Sequence, residues 1–238
     1  MNATNNSSSV PRKPIICTVD VVLLCLLGDI LHVALLRRDA APFENRHALP
    51  GGYIHAEEDA DTLEAAIRML REKAAIVSPY LEQLGTFSGA ARDPRGWSIS
   101  IAYYALVPAE LIDLKRHAGL QLQPVDQLKS LPFDHKEIIQ AAVERVRNKS
   151  SYSSLPAYLC GEQFTLPRLQ AVYEALLGEP INKVSFRRKM EELDMLEPIE
   201  GAMETGRANR PAQLYRLKAQ FRNRLSITGR SLTSVSNH

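Results

Sequence analysis

The stretch Ile15–Leu36, IICTVDVVLLCLLGDILHVALL, constrains the fold more than any other. A run this long and this apolar either crosses a bilayer or is buried on both faces inside a protein. Asp20, Asp29 and His32 interrupt it, and one Asp near a bilayer centre costs about 3 kcal/mol. Gly28-Asp29 divides the run, and a Gly-Asp pair between β-prone halves is a hairpin signal, in reverse order from the favoured Asp-Gly. The stretch therefore predicts two buried strands, Ile15–Leu27 and Ile30–Arg37, rather than a membrane span or a leader peptide. Residues 1–13, ahead of it, are polar and core-poor and are expected to form a mobile tail.

The 238 residues suffice for one large or two modest domains. Composition, at 45% hydrophobic and 24% charged, is that of a globular protein rather than a disordered or fibrous one. The net charge of +2 hides an asymmetry: from Arg145 onward there are 15 Lys/Arg against 9 Asp/Glu. A basic C-terminal part suits a polyanionic partner, although charge alone fits a solvated surface equally well. Cys17, Cys25 and Cys160 are scattered and odd in number, without CxxC spacing. They read as reduced thiols in a cytoplasmic compartment, not as a disulfide framework or zinc site.

Thr62–Lys73 carries Leu63, Ala66, Ile67 and Leu70 at helical spacing. Before it, His47–Pro50 leads into Gly51-Gly52, read as a tight turn. Leu81–Ser88 and Trp97–Val107 read as strands, and His135–Lys149 as an amphipathic helix. Strands around one helix, followed by a second helix, predict an α+β sandwich over residues 14–150.

Leu49–Ile76 resembles the Nudix box of hydrolases acting on nucleoside-diphosphate-linked substrates, G-x5-E-x7-R-E-U-x-E-E-x-G-U, where U is aliphatic. Acids three and four residues apart share one helix face and can hold the Mg²⁺ that screens a diphosphate during attack by water. Here Gly52 and Glu58 keep the first spacing, but nine residues rather than seven separate Glu58 from Arg68. The three helix acids fall at Met69, Glu72 and Lys73, so only Glu72 survives, and the closing glycine is Ala75. Lys73 puts a cation where a divalent ion needs an anion. At about 4 Å and an effective dielectric of about 20, each such unit-charge interaction is worth about 4 kcal/mol. The expected fold is an α/β/α Nudix sandwich that holds no catalytic metal and requires no cofactor. A solvated amphipathic helix is the plainer reading of Thr62–Lys73 taken alone. Glu57, Glu58, Asp59 and Asp61, on the turn, are the only rescue for a weak metal site.

Arg92-Asp93-Pro94-Arg95-Gly96-Trp97 holds two arginines, an acid and the only tryptophan. Arginine binds phosphate oxygens bidentately, an aromatic ring stacks on a base, and an acid accepts from ribose hydroxyls. Arg37 and Arg38 can add a cationic wall. With Gly51, Gly52 and Glu72, these residues make a candidate binding site for a nucleotide sugar; alone, they read as an Asp-Pro turn.

A second unit, residues 151–225, follows the serine-rich linker SSYSS, with a tail over 226–238. Thr165 can cap a helix whose stripe is Leu166, Leu169, Val172, Tyr173, Leu176 and Leu177, and Gly178 can end it. Asn182 can cap a second helix, Lys183–Leu193. Short strands at Leu196–Ile199 and Gln213–Leu217 flank a polar loop. Helix, turn, helix and hairpin in that order predict a winged helix-turn-helix. On the second helix Phe186, Met190 and Leu193 share the core side, and Arg188 points away. Ser185 and Arg188 are placed to read base edges, Lys183 and Arg187 to grip phosphates, and Arg207, Asn209 and Arg210 to let the wing touch the duplex. Lys189 lies nearer the core boundary. A basic protein-contact domain is the alternative.

A Nudix-like domain followed by a winged helix resembles the Nudix-related transcriptional regulators of bacterial NAD metabolism, the NrtR family. LPGGYI, RMLREKAAI, RDPRGWSIS and NKVSFRRKM carry the likeness, over about Pro14 to Leu217. It implies a cytoplasmic homodimer that binds double-stranded operator DNA and represses NAD synthesis and salvage genes. It also implies that ADP-ribose or a related pyridine nucleotide alters the DNA affinity. The rival reading is an active hydrolase of ADP-ribose or another nucleoside-diphosphate sugar.

Overall fold

Strand β1 (Ile16–Leu27) lies in the middle of a mixed sheet in the computed structural model, which describes residues 14–78, 80–115, 117, 119–204, 211–222, 225 and 227. It turns through Gly28 into antiparallel β2 (Ile30–Arg37), and Gly28 takes the left-handed conformation the turn requires. Short strands β3 (His47–Ala48) and β4 (Gly51–Tyr53) pair with β2 and β1. Helix α1 (Thr62–Ala74) leads to β5 (Tyr80–Gly89) and β6 (Ser98–Leu106), and β6 runs parallel to β1. Strand β7 (Leu120–Pro124) adds to the far edge of β2 before helix α2 (His135–Ser150).

Alternation along β1 explains the apolar run. Val21, Leu23 and Cys25 point to the α1 side, whereas Val22, Leu24 and Leu26 point to the α2 side, and all six are buried. A strand covered on both faces needs no polar alternation. Asp61 caps α1 by accepting from the amides of Leu63 and Glu64. Ala75 ends it in the left-handed region, at φ 51°. The α/β/α sandwich is thus present with the expected main elements.

The C-terminal unit comprises β8 (Phe164–Thr165), α3 (Leu166–Leu177), α4 (Lys183–Leu193), β9 (Leu196–Glu204) and β10 (Ala212–Leu217). Thr165 and Asn182 cap α3 and α4 with their side chains, and Gly178 closes α3 with a positive φ. The three strands form one sheet in the order β8-β10-β9. Phe186, Met190 and Leu193 pack with Leu169 and Tyr173, making the winged helix-turn-helix core.

Three local readings change. Gly51-Gly52 is not a turn but strand β4, paired with Val19 and Asp20. Strand β9 runs on past Ile199 to Glu204, so the polar loop is shorter than expected. SSYSS is not a loose linker: Ser150, Ser153 and Ser154 are fully buried. Ser153 donates to the Lys149 carbonyl and its own carbonyl accepts from the Tyr173 hydroxyl. Leu155, Tyr158, Leu159, Val172 and Leu176 belong to the same apolar cluster as Ile138, Ile139 and Val143 of α2, so the two units share a core. Residues 1–13 lie outside the described residues, as does the 226–238 tail apart from Ile227. Among the described residues no helix is long and apolar enough to cross a membrane.

Candidate effector cleft and nucleic-acid interface

Gly51 and Gly52 bring β4 against β1 and beside the second half of α1, where Met69 and Lys73 lie. A Cβ on Gly51 would lie 2.0 Å from Asp20 Oδ1 and 2.8 Å from the Val19 carbonyl oxygen. Only glycine permits that approach. Behind Gly52 sits Met69, buried, its sulfur 3.0 Å from where a Cβ would stand. The helix position that holds an acid in the box is therefore filled by a thioether packed into the sheet.

The next two helix positions diverge. Glu72 is exposed and lies 3.5 Å from the Arg68 guanidinium. Lys73 points back to β4, and its ammonium donates to the Gly51 carbonyl at 2.5 Å. Burial lowers the Lys73 pKa; Asp39 and Asp20 act against that, and Arg38 and Arg68 with it. Arg68 is itself buried and makes two bonds to Asp59, at 2.8 and 2.7 Å, and one to the Tyr53 carbonyl at 3.0 Å. The Arg68 hydrogen bonds hold the Asp59 carboxyl down to about 2. Asp59 is thereby committed to Arg68 and Asp61 to the helix cap; Glu58 is exposed beside His55. These donors do not fit the Mg²⁺ that a catalytic Nudix helix holds. Among the described residues, no three Asp, Glu, His or Cys side chains gather where a metal could sit.

The other predicted residues surround this site unevenly. Arg38 donates to the Pro42 and Ala40 carbonyls and lies over the Phe133 ring, 5.0 Å from its centroid. Arg37 is exposed at the end of β2, its backbone amide bonded to Gly119. Asp93 is buried and accepts from the Arg95 side chain at 3.0 and 2.7 Å. Arg95 reaches on to the Tyr53 hydroxyl at 2.6 Å and lies over that ring. Trp97 is 44% exposed, open to stacking. Arg92 points inward instead. It makes a two-bond pair with Asp134, at 2.9 and 2.8 Å, and donates to Ser98 at 3.1 Å.

That pair belongs to a buried polar cluster that sequence reasoning missed. Asp20 accepts from Ser100 at 2.6 Å and lies 3.8 Å from Arg92. His135 Nδ1 accepts from the Leu49 amide at 3.0 Å, and its Nε2 faces Asp20 at 3.6 Å. Because Nδ1 accepts an N–H, the imidazole hydrogen sits on Nε2. Complete burial lowers the His135 pKa and keeps the ring neutral, although Asp20 and Asp134 oppose the shift. The available signal was polar residues, Asp20, Ser98 and Ser100, inside otherwise apolar strands.

On the second unit, α4 presents Lys183, Ser185, Arg187 and Arg188 to solvent, with Val184 76% exposed among them. Lys189 is buried. Arg216 and Lys218 nearby are neutralised by Glu197 and Asp194. Among the described residues Lys183, Arg187 and Arg188 have no acidic partner within salt-bridge distance. Glu191 and Glu192 lie further along, so the N-terminal part of the helix is its basic end. Arg207, Asn209 and Arg210 lie outside the described residues.

Fold and site together define a Nudix domain joined to a winged helix whose second helix carries an open basic face. A family model described as the NrtR DNA-binding winged helix domain matches residues 156–217. The chain is 38% identical over 208 residues to the ADPR responsive transcriptional repressor NtrR of Acinetobacter baylyi, covering 85% of this chain and 82% of that one. It therefore belongs to the NrtR family. The crystal structure of Shewanella oneidensis NrtR complexed with a 27mer DNA superposes with a TM-score of 0.84 at 38% identity, over 91% of this chain and 99% of that one. The Nudix domain of the same Shewanella protein complexed with ADP ribose gives 0.51 at 32% identity, over 59% and 95%.

Proposed function

We propose that this chain is a DNA-binding transcriptional repressor of NAD synthesis and salvage genes, working in the cytoplasm as a homodimer. Its Nudix domain senses ADP-ribose or a related pyridine nucleotide. The observation that carries the reading is the open cationic face of α4, where Lys183, Arg187 and Arg188 are exposed and make no salt bridge among the described residues. Cations left free on a helix that projects from a winged-helix core are placed for a phosphate backbone.

In this reading Arg188 and Ser185 meet base edges while Lys183 and Arg187 meet phosphates. Arg207, Asn209 and Arg210 supply the wing. The effector lies along the Gly51-Gly52 strand, with Arg37, Arg38, Arg95 and Trp97 around it. Glu72, held near Arg68, borders the site, and Arg92 and Asp93 support its floor through buried pairs. No turnover of the effector is expected, because the helix supplies one acid where hydrolysis needs three. Binding instead favours one dimer geometry, shifting the spacing of the two α4 helices. Half-sites one turn apart, about 34 Å, tolerate little change in that spacing.

The test is a mobility shift with upstream DNA, titrated with ADP-ribose, NAD and related nucleotides. DNA binding that responds to one of them is expected. Arg188→Ala should relax sequence preference, whereas Lys183→Ala should weaken all DNA alike and flatten the salt dependence. Unchanged binding in both variants refutes the assignment of α4. Rapid Mg²⁺-dependent hydrolysis of ADP-ribose, lost in Glu72→Gln, establishes the hydrolase reading instead.

A further inference from the structure

A diphosphate bound on this strand needs its charge balanced, and the helix cannot hold the usual divalent ion. Met69 is packed under Gly52, Glu72 is drawn to Arg68, and Asp59 is spent on the same arginine. The third position carries Lys73, whose ammonium already sits against the Gly51 carbonyl at the cleft. An ammonium has three N–H donors. One goes to Gly51, leaving two to bind phosphate oxygens. Asp20 and Asp39 are the acids that act on Lys73, and Arg38 and Arg68 the cations. Among the described residues neither acid lies within salt-bridge distance of the ammonium, and Asp20 accepts from Ser100 and faces Arg92 and His135 instead.

We propose that the Lys73 ammonium replaces the divalent ion of this cleft and binds the effector's diphosphate directly, so that effector recognition requires no metal. The proposal rests on the effector reading above. It turns what looks like a lost catalytic residue into a gained ligand. It also explains how a site can keep affinity for a pyrophosphate while lacking the charge arrangement that activates water. A charge-assisted hydrogen bond of this kind corresponds to about tenfold to a hundredfold in affinity.

The test is calorimetric titration of ADP-ribose into the full chain, in EDTA and in excess Mg²⁺. Wild-type affinity is expected to be the same in both buffers within about twofold. Lys73→Met should weaken binding by about tenfold or more in both, and Lys73→Arg should retain most of it. Lys73→Glu should lose binding in EDTA and recover part of it with Mg²⁺, since Glu72 and the new carboxylate are adjacent. A thermal melt of each variant separates lost folding from lost binding. Wild-type binding abolished by EDTA and restored by Mg²⁺ overturns the proposal and leaves the effector reading intact. So does a folded Lys73→Met that binds as wild type in EDTA. Absence of wild-type binding in either buffer removes the effector reading itself.

Discussion

Arg92→Ala tests whether the loop before β6 holds the sheet or serves the ligand. The guanidinium makes two bonds to Asp134, at 2.9 and 2.8 Å, one to Ser98 at 3.1 Å, and lies 3.8 Å from Asp20. Side-chain exposure is 7% for Arg92, 13% for Asp134 and 9% for Asp20, so neither carboxylate can turn to water when the cation is removed. Breaking a buried pair by deleting one partner costs roughly 3–5 kcal/mol. For a chain of this size each kcal/mol moves the melting temperature by about 2–4 °C, so a fall of about 6–20 °C is expected. Circular dichroism melts and urea midpoints measure it. Adding Asp134→Ala should recover part of the loss, with a coupling of about 0.5–3 kcal/mol. Arg95→Ala should destabilise as well, because it strands Asp93, whose side chain is 2% exposed. An Arg92→Ala protein that melts with wild type yet fails to bind ADP-ribose refutes the reasoning: Arg92 would then be a ligand group and not a brace.

Three further outcomes follow from geometry. Ala75 sits at φ 51°, where glycine is unstrained, so Ala75→Gly should stabilise by about 1 kcal/mol and raise the melting temperature by about 2–4 °C. His135 is held neutral, with its folded pKa below the ordinary 6.5, so its contribution is complete above 6.5 and declines as pH falls towards the folded value. Urea midpoints should drop below about pH 6.5, and His135→Gln should flatten that slope. Val184, 76% exposed beside Arg188, is placed to meet a thymine methyl. In a site selected from random DNA, replacing one thymine by uracil should weaken wild type but leave Val184→Ala indifferent; equal losses in both proteins count against that contact.

Local signals carried much of the fold. The two-faced burial of β1 was legible because no polar alternation broke it, and α4 because Asn182 caps it and Phe186, Met190 and Leu193 keep one stripe. Strands β3, β4, β7 and β8 escaped because two to five residues carry no period and pair only through distant partners. Gly51-Gly52 looked like a turn, since the reason for glycine there, the nearness of Asp20, is a tertiary fact. The partners of the buried polar cluster were hidden for the same cause, although polar residues inside apolar strands hinted at it. Ser100 meets Asp20 across 80 positions and Arg92 meets Asp134 across 42. Spacing within one helix could be read directly, which is why Met69 and Lys73 stood out.

The joint around Ser153 and Tyr158 has a practical meaning. Tyr158 lies against Tyr80 with ring centroids 4.8 Å apart and donates to the Phe221 carbonyl, while Val172 and Leu176 complete the α2 cluster. Severing the polypeptide there would leave each fragment with a raw greasy scar. Grafting this reader onto another sensor means transplanting the seam as well.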